Sequence, residues 1–103
     1  MDKRKQNITA LKVKYLSPTN SLGSRIKFTQ TNNNKSVTIN YDYNFEVLDK
    51  AFDILNKLDF IKSYQVVIDN TGNGYYLIVM EFEGHYIPDM ILDIKDLKNK
   101  GRI

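Results

Sequence analysis

The sequence predicts an α+β domain: an antiparallel sheet in β-β-β-α-β-β order, one helix packed on one face of it, and a C-terminal tail or short helix. Three observations predict it. Apolar and polar residues alternate over three segments up to residue 43, the period switches to three-to-four over residues 45–59, and two further strand-like runs follow, joined by a glycine-containing turn. A single helix and an antiparallel sheet each carry one apolar face, and stacking them in two layers buries both.

Each element has its own signature. In residues 8–16 (ITALKVKYL), Leu11, Val13 and Tyr15 point one way while Lys12 and Lys14 point the other, so this strand keeps one wet face. Ser17-Pro18-Thr19-Asn20 breaks it, because proline fixes its own φ and restricts the residue before it. Residues 24–30 (SRIKFTQ) alternate again, with Ile26 and Phe28 inward and Arg25, Lys27 and Thr29 outward. Asn32-Asn33-Asn34 reads as a turn, since asparagine tolerates the left-handed region. Residues 36–43 place Val37, Ile39, Tyr41 and Tyr43 on one face, completing a meander.

The helical stripe is Phe45, Leu48, Phe52, Leu55 and Leu58, widened by Ala51 and Ile54, with Asn44 as the expected N-cap. Residues 63–69 then read as a strand, Asn70–Gly74 as a hairpin turn, and residues 75–83 as a long, near-continuously apolar strand belonging in the interior of the sheet. In the last segment Met90, Ile91, Ile94 and Leu97 could form a helical stripe opened by Pro88 and Asp89, with an extended IPDMILDI strand as the competing reading. The expected organisation is a basic flexible arm over residues 1–7, a single domain over 8–86 and the tail or short helix over 87–103.

Composition narrows the function. A chain of 103 residues fits one domain with a modest core. Cysteine is absent, which excludes disulfides, thiolate metal sites and thiol nucleophiles and fits a cytoplasmic protein. The basic N-terminus is followed by no continuous apolar segment, so neither a signal peptide nor a membrane anchor is expected. Net charge is only +3, yet it is segregated. Residues 1–36 carry eight Lys/Arg against Asp2, residues 37–94 carry three Lys against ten Asp/Glu, and residues 95–103 carry four basic residues against Asp96. Such asymmetry predicts a dipolar surface if it survives folding.

Catalytic chemistry finds little support. His85 is the one histidine and has no nucleophile or orienting acid in its local sequence, so it reads as a loop residue. Asp49 and Asp53 share a helix face, but Lys50 and Lys57 interleave with them, which reads as a solvated surface. The Gly72-x-Gly74 pair precedes a strand, whereas a phosphate-cradling loop needs a following helix N-terminus. No enzyme, metal or cofactor is expected.

The basic residues carry more information. If the first two strands pair, Lys12, Lys14, Arg25 and Lys27 form a basic band on one sheet face, which Lys3-Arg4-Lys5 could extend. Such a band can follow a phosphate backbone, with aromatic neighbours stacking bases. A solvated face whose lysines discourage edge aggregation is the competing reading. Seven tyrosines and no tryptophan add a composition common at binding surfaces.

Residues 15–27 (YLSPTNSLGSRIK) resemble small proteins of phages and other bacterial mobile elements, in which an N-terminal strand is followed by T-N-x-x-G-[SA]-R-[IV]-K, a polar turn, a strand and a helix. Thr19, Asn20, Gly23, Ser24, Arg25, Ile26 and Lys27 carry the likeness, which extends to about residue 60. It implies a mobile-element accessory protein acting by binding. The leading expectation is an inhibitor of a host nucleic-acid-targeting defence, anti-CRISPR-like, whose partner is a host or element-encoded protein such as a nuclease or replication enzyme. The alternative is a DNA/RNA-binding or replication-accessory module using the basic face. In either case the expected partner-binding residues are Lys12, Lys14, Asn20, Arg25 and Lys27.

Overall fold

The computed structural model describes residues 7–41, 46–69, 72, 74–84 and 86–103. Five strands, β1 (Ile8–Leu16), β2 (Arg25–Gln30), β3 (Ser36–Asn40), β4 (Ile61–Ile68) and β5 (Tyr76–Phe82), and two helices, α1 (Val47–Asn56) and α2 (Met90–Asn99), follow one another as β-β-β-α-β-β-α. In space the strands lie in the order β3-β2-β1-β5-β4, and every neighbouring pair is antiparallel. The meander of the first three strands builds one half of the sheet. The chain then passes through α1 to the opposite edge, and the β4–β5 hairpin returns to pair with β1. The first strand is therefore the central one, and β5 lies inside the sheet between β1 and β4.

One cluster forms the core. Leu11, Val13, Ile26, Phe28, Val37, Ile39, Ile78, Met80 and Phe82 line the inner face of the sheet, and Ala51, Ile54, Leu55 and Leu58 join them from α1 and the turn after it. Met90, Ile91 and Ile94 of α2 enter the same cluster. Of the two readings for the C-terminal segment, tail or short helix, the helix is observed, and it packs into the same core as α1. The C-terminal segment is a ten-residue helix and not an extended strand.

The reason lies in how α2 is anchored. Asp89 is its N-cap, and its side chain accepts from the Leu92 N–H at 3.2 Å. The fully buried Gln30 side chain fastens the same turn from the sheet. Its Nε2 donates to the Pro88 carbonyl (2.9 Å) and to Asn32 Oδ1 (2.7 Å), while its Oε1 accepts from the Met90 N–H (2.9 Å). At the other end, Lys98 Nζ donates to the Thr38 carbonyl at 2.8 Å, so a side chain of α2 occupies an acceptor on the edge strand β3.

Other boundaries differ by a few residues. The strand predicted over 36–43 ends at Asn40, and α1 starts at Val47 with Glu46 at its N-cap position and no side-chain cap bond. The predicted roles of Tyr43, Asn44 and Phe45 lie outside the described residues. The buried centre of α1 is Ala51, Ile54 and Leu55, because Phe52 turns to the flank, where its ring lies 5.5 Å from that of Tyr64 on β4. Asn34 does adopt a left-handed φ of 59°, and its N–H donates back to the Gln30 carbonyl in the β2–β3 turn. Between β4 and β5, Gly72 and Gly74 both have positive φ, a conformation that glycine adopts without strain.

Candidate functional site: the open face of the sheet

Both helices lie on the inner face. Among the described residues no helix covers the other face, so the side chains that alternate outward there define an open surface. The pairing on which the basic band depended is present: β1 and β2 are hydrogen-bonded neighbours. Lys14 stands directly opposite Lys27, Lys12 opposite Thr29, and Leu16 opposite Arg25. On the far side of β2, Thr38 and Asn40 of β3 stand beside Lys27 and Arg25 and surround the cations with small polar groups.

The four cations are not equivalent. Lys14 and Lys27 are exposed, and neither is in a salt bridge among the described residues. Arg25 donates from Nε to the Gly23 carbonyl at 3.3 Å, which holds its guanidinium at the end of the band and leaves its other donors available. Lys12 is half-buried and turns to the other side, with its Nζ 4.3 Å from the centre of the Tyr75 ring. Asn20 does not share the face. It lies exposed in the connection between β1 and β2, where the Thr19 N–H donates to the Leu22 carbonyl at 2.7 Å and the Leu22 N–H to Thr19 Oγ1 at 3.1 Å. Leu22, half exposed, projects from the same turn.

The sequence reading missed the second half of this face. Next to the cations, Ala10 of β1 pairs with Val79, and Lys12 with Leu77, on β5. On the far side Gln65 and Ile68 of β4 face Val79 and Leu77. Leu77, Val79 and Ile68 are absent from the core cluster although Tyr64, Val66 and Tyr76 on the same strands pack against it. A shallow depression lined by Ile8, Gln65, Val79 and Glu81 continues the strip. The signal was present in the near-continuous apolarity of residues 75–83. A strand that is apolar on both faces, in a sheet whose helices cover one, leaves an apolar strip on the other, and here Leu77, Val79 and Ile68 are half-buried while Val67 beside them is exposed. Glu81, on β5, lies 3.6 Å from Lys62 Nζ and so sits in an ion pair.

Two ion pairs lie within the helix layer. Asp53 meets Lys57 at 3.1 Å and Asp96 meets Lys100 at 3.0 Å, both across one helical turn. The Lys35 hydrogen bond, 2.7 Å long, holds the Asp89 carboxyl below the usual carboxylate range. Burial pushes Asp93 upward, reinforced by the negative charges of Asp89 and Asp96. No cluster of three or more His, Cys, Asp or Glu able to hold a metal occurs among the described residues, and none of their helices is long and apolar enough to cross a membrane. His85 and the Lys3-Arg4-Lys5 arm lie outside those residues.

No protein-family model, curated protein or solved structure matches this chain.

Proposed function

We propose that this is a non-enzymatic binding protein that engages nucleic acid through the open basic face of its sheet. The observation that supports the reading is the Lys14–Lys27 pair. Like charges directly opposite on antiparallel strands destabilise the sheet, by about 0.2–1 kcal/mol on the scale of other cross-strand pairs. No acid among the described residues offsets them, and Arg25 and Lys12 lie one diagonal step away on the same face. The fold gains nothing from this arrangement, whereas a phosphate backbone neutralises all of it and releases its own counterions.

The test is binding of labelled nucleic acid by the intact chain across a salt series. Affinity should fall as salt rises, and Lys14→Glu with Lys27→Glu should both weaken binding and flatten the salt dependence. Absence of binding even at low salt would remove the reading.

The exposed Thr19–Leu22 turn, within the segment that resembles mobile-element proteins, favours a second reading. In it the chain is an inhibitor of a host nucleic-acid-targeting defence that occupies the surface of a nuclease or replication enzyme. Capture of such an enzyme from a bacterial host, lost on Asn20→Ala and Leu22→Ala and indifferent to the salt series, would replace the first reading with this one.

A further inference from the structure

Resting on the reading above, we infer that the nucleic acid this face accepts is single-stranded, with its phosphates over Lys14, Lys27 and Arg25 and its bases over Leu77, Val79 and Tyr75. The argument is the lateral division of the open face. Its cations lie on β2 and the adjoining end of β1, and its half-buried outward apolar side chains lie on β5, beside the other end of β1 where Ile8 is exposed. A duplex presents phosphates on its outside and keeps its bases stacked within. Docked here, it would satisfy the cations but lay charged backbone over Leu77 and Val79, and desolvating charge against apolar surface is unfavourable.

A single strand is itself divided lengthwise into an anionic edge and an apolar, stackable edge, so both halves of the face find a partner at once. The dimensions agree. Adjacent strands are about 4.8 Å apart, and Leu77 is level with Lys12, one outward step along the strands from the Lys14–Lys27 row, so the oblique span from Lys27 to Leu77 is roughly 12 Å, the order of the reach from a phosphate held by a lysine to its base. Outward residues along one strand repeat every 6–7 Å or so, close to the step between phosphates of an extended single strand. Tyr75 stands at the seam with Lys12 over its ring, where a base could replace the ammonium and free it for phosphate. The depression beyond Val79 continues the apolar side.

The experiment compares labelled oligothymidylate and oligouridylate of roughly 12 nucleotides with a duplex of equal length, by fluorescence anisotropy. Single strands should bind at least about tenfold more tightly than the duplex, with a log–log salt slope of roughly 2 to 3 if three or four cations meet phosphate. Leu77→Thr with Val79→Thr, which keeps strand-compatible side chains, should weaken single-strand binding several-fold and leave that slope unchanged. Tyr75→Ala serves the same purpose if the double variant melts early. Equal or tighter duplex binding would overturn the inference while leaving the proposed function standing. Unchanged affinity in the apolar variants would also overturn it. Failure of every probe to bind would remove both.

Discussion

On the inner face of β1 and β2, Leu11, Val13, Ile26, Phe28 and Gln30 are fully buried, and among the described residues no buried side-chain nitrogen or oxygen lacks a hydrogen-bond partner. On the outer face of the same two strands, two lysines oppose each other, an arginine and a third lysine stand nearby, and a half-buried apolar strip adjoins them. The backbone and the register are shared, so the contrast is one of purpose. Every inner residue is accounted for by folding. On the outer face the opposed Lys14–Lys27 pair is adverse to folding, and adverse residues on regularly paired strands are where a binding role should be sought.

Variants on the two faces should therefore fail in different ways, and the largest effects belong to the inner face. Phe28→Ala removes a fully buried ring from the middle of the core and should cost about 3–5 kcal/mol, read as loss of the cooperative thermal transition. Gln30→Leu keeps the volume but strands the buried Met90 N–H and the Pro88 carbonyl, at roughly 1–3 kcal/mol for each group left unpaired. It should detach the N-terminal turn of α2 in particular, which amide hydrogen exchange at Met90–Leu92 would resolve from global unfolding. Uniform protection across α2 in that variant would show that Gln30 does not serve as its anchor.

The outer face should respond in the opposite sense. Lys27→Glu converts a like-charged cross-strand pair into an ion pair with Lys14 and should raise stability by about 0.5–1 kcal/mol while lowering affinity for nucleic acid. Opposed signs in one substitution separate the faces more sharply than any loss of function could. A variant that loses both stability and binding would mean that Lys27 is a structural residue, and the contrast between the faces would collapse.

How much of this was legible beforehand follows from what each face asks of the sequence. Strict alternation in residues 8–16, 24–30 and 36–43 specified the buried set Leu11, Val13, Ile26, Phe28, Val37 and Ile39, although β3 itself ends at Asn40, because a one-residue slip would have exposed all of it. The same alternation placed the four cations on the outer face before any pairing was known. Which strand would lie on the other side of β1, away from β2, was not legible. Local periodicity holds no information about the crossover that sets β5, and with it Leu77 and Val79, next to the basic band. The second helix was only half legible, since one of its anchors is Gln30, 60 residues away and polar in a position that alternation assigns to the core.

The smallest expected effect tests whether the two layers are energetically independent. Asp93 has its folded pKa raised above the ordinary 3.8 by burial and by the neighbouring Asp89 and Asp96 charges. Its favourable contribution is thus complete below that ordinary value and is lost as pH rises through the raised one. Asp89, with its pKa lowered through the Lys35 hydrogen bond, contributes stability above 3.8 that is lost as pH falls through the lowered value. Asp93→Asn should therefore raise the melting temperature slightly at neutral pH, by no more than about 1 kcal/mol equivalent, with the gain vanishing by about pH 3. The attraction of an acid to the N-terminal end of α2 works against the gain and keeps it small. Because Asp93 belongs to the helix layer and the cations to the opposite side of the sheet, the substitution should leave nucleic-acid affinity at neutral pH where it was. A change in affinity would mean that the sheet transmits the state of one layer to the other, and the faces would have to be treated as coupled.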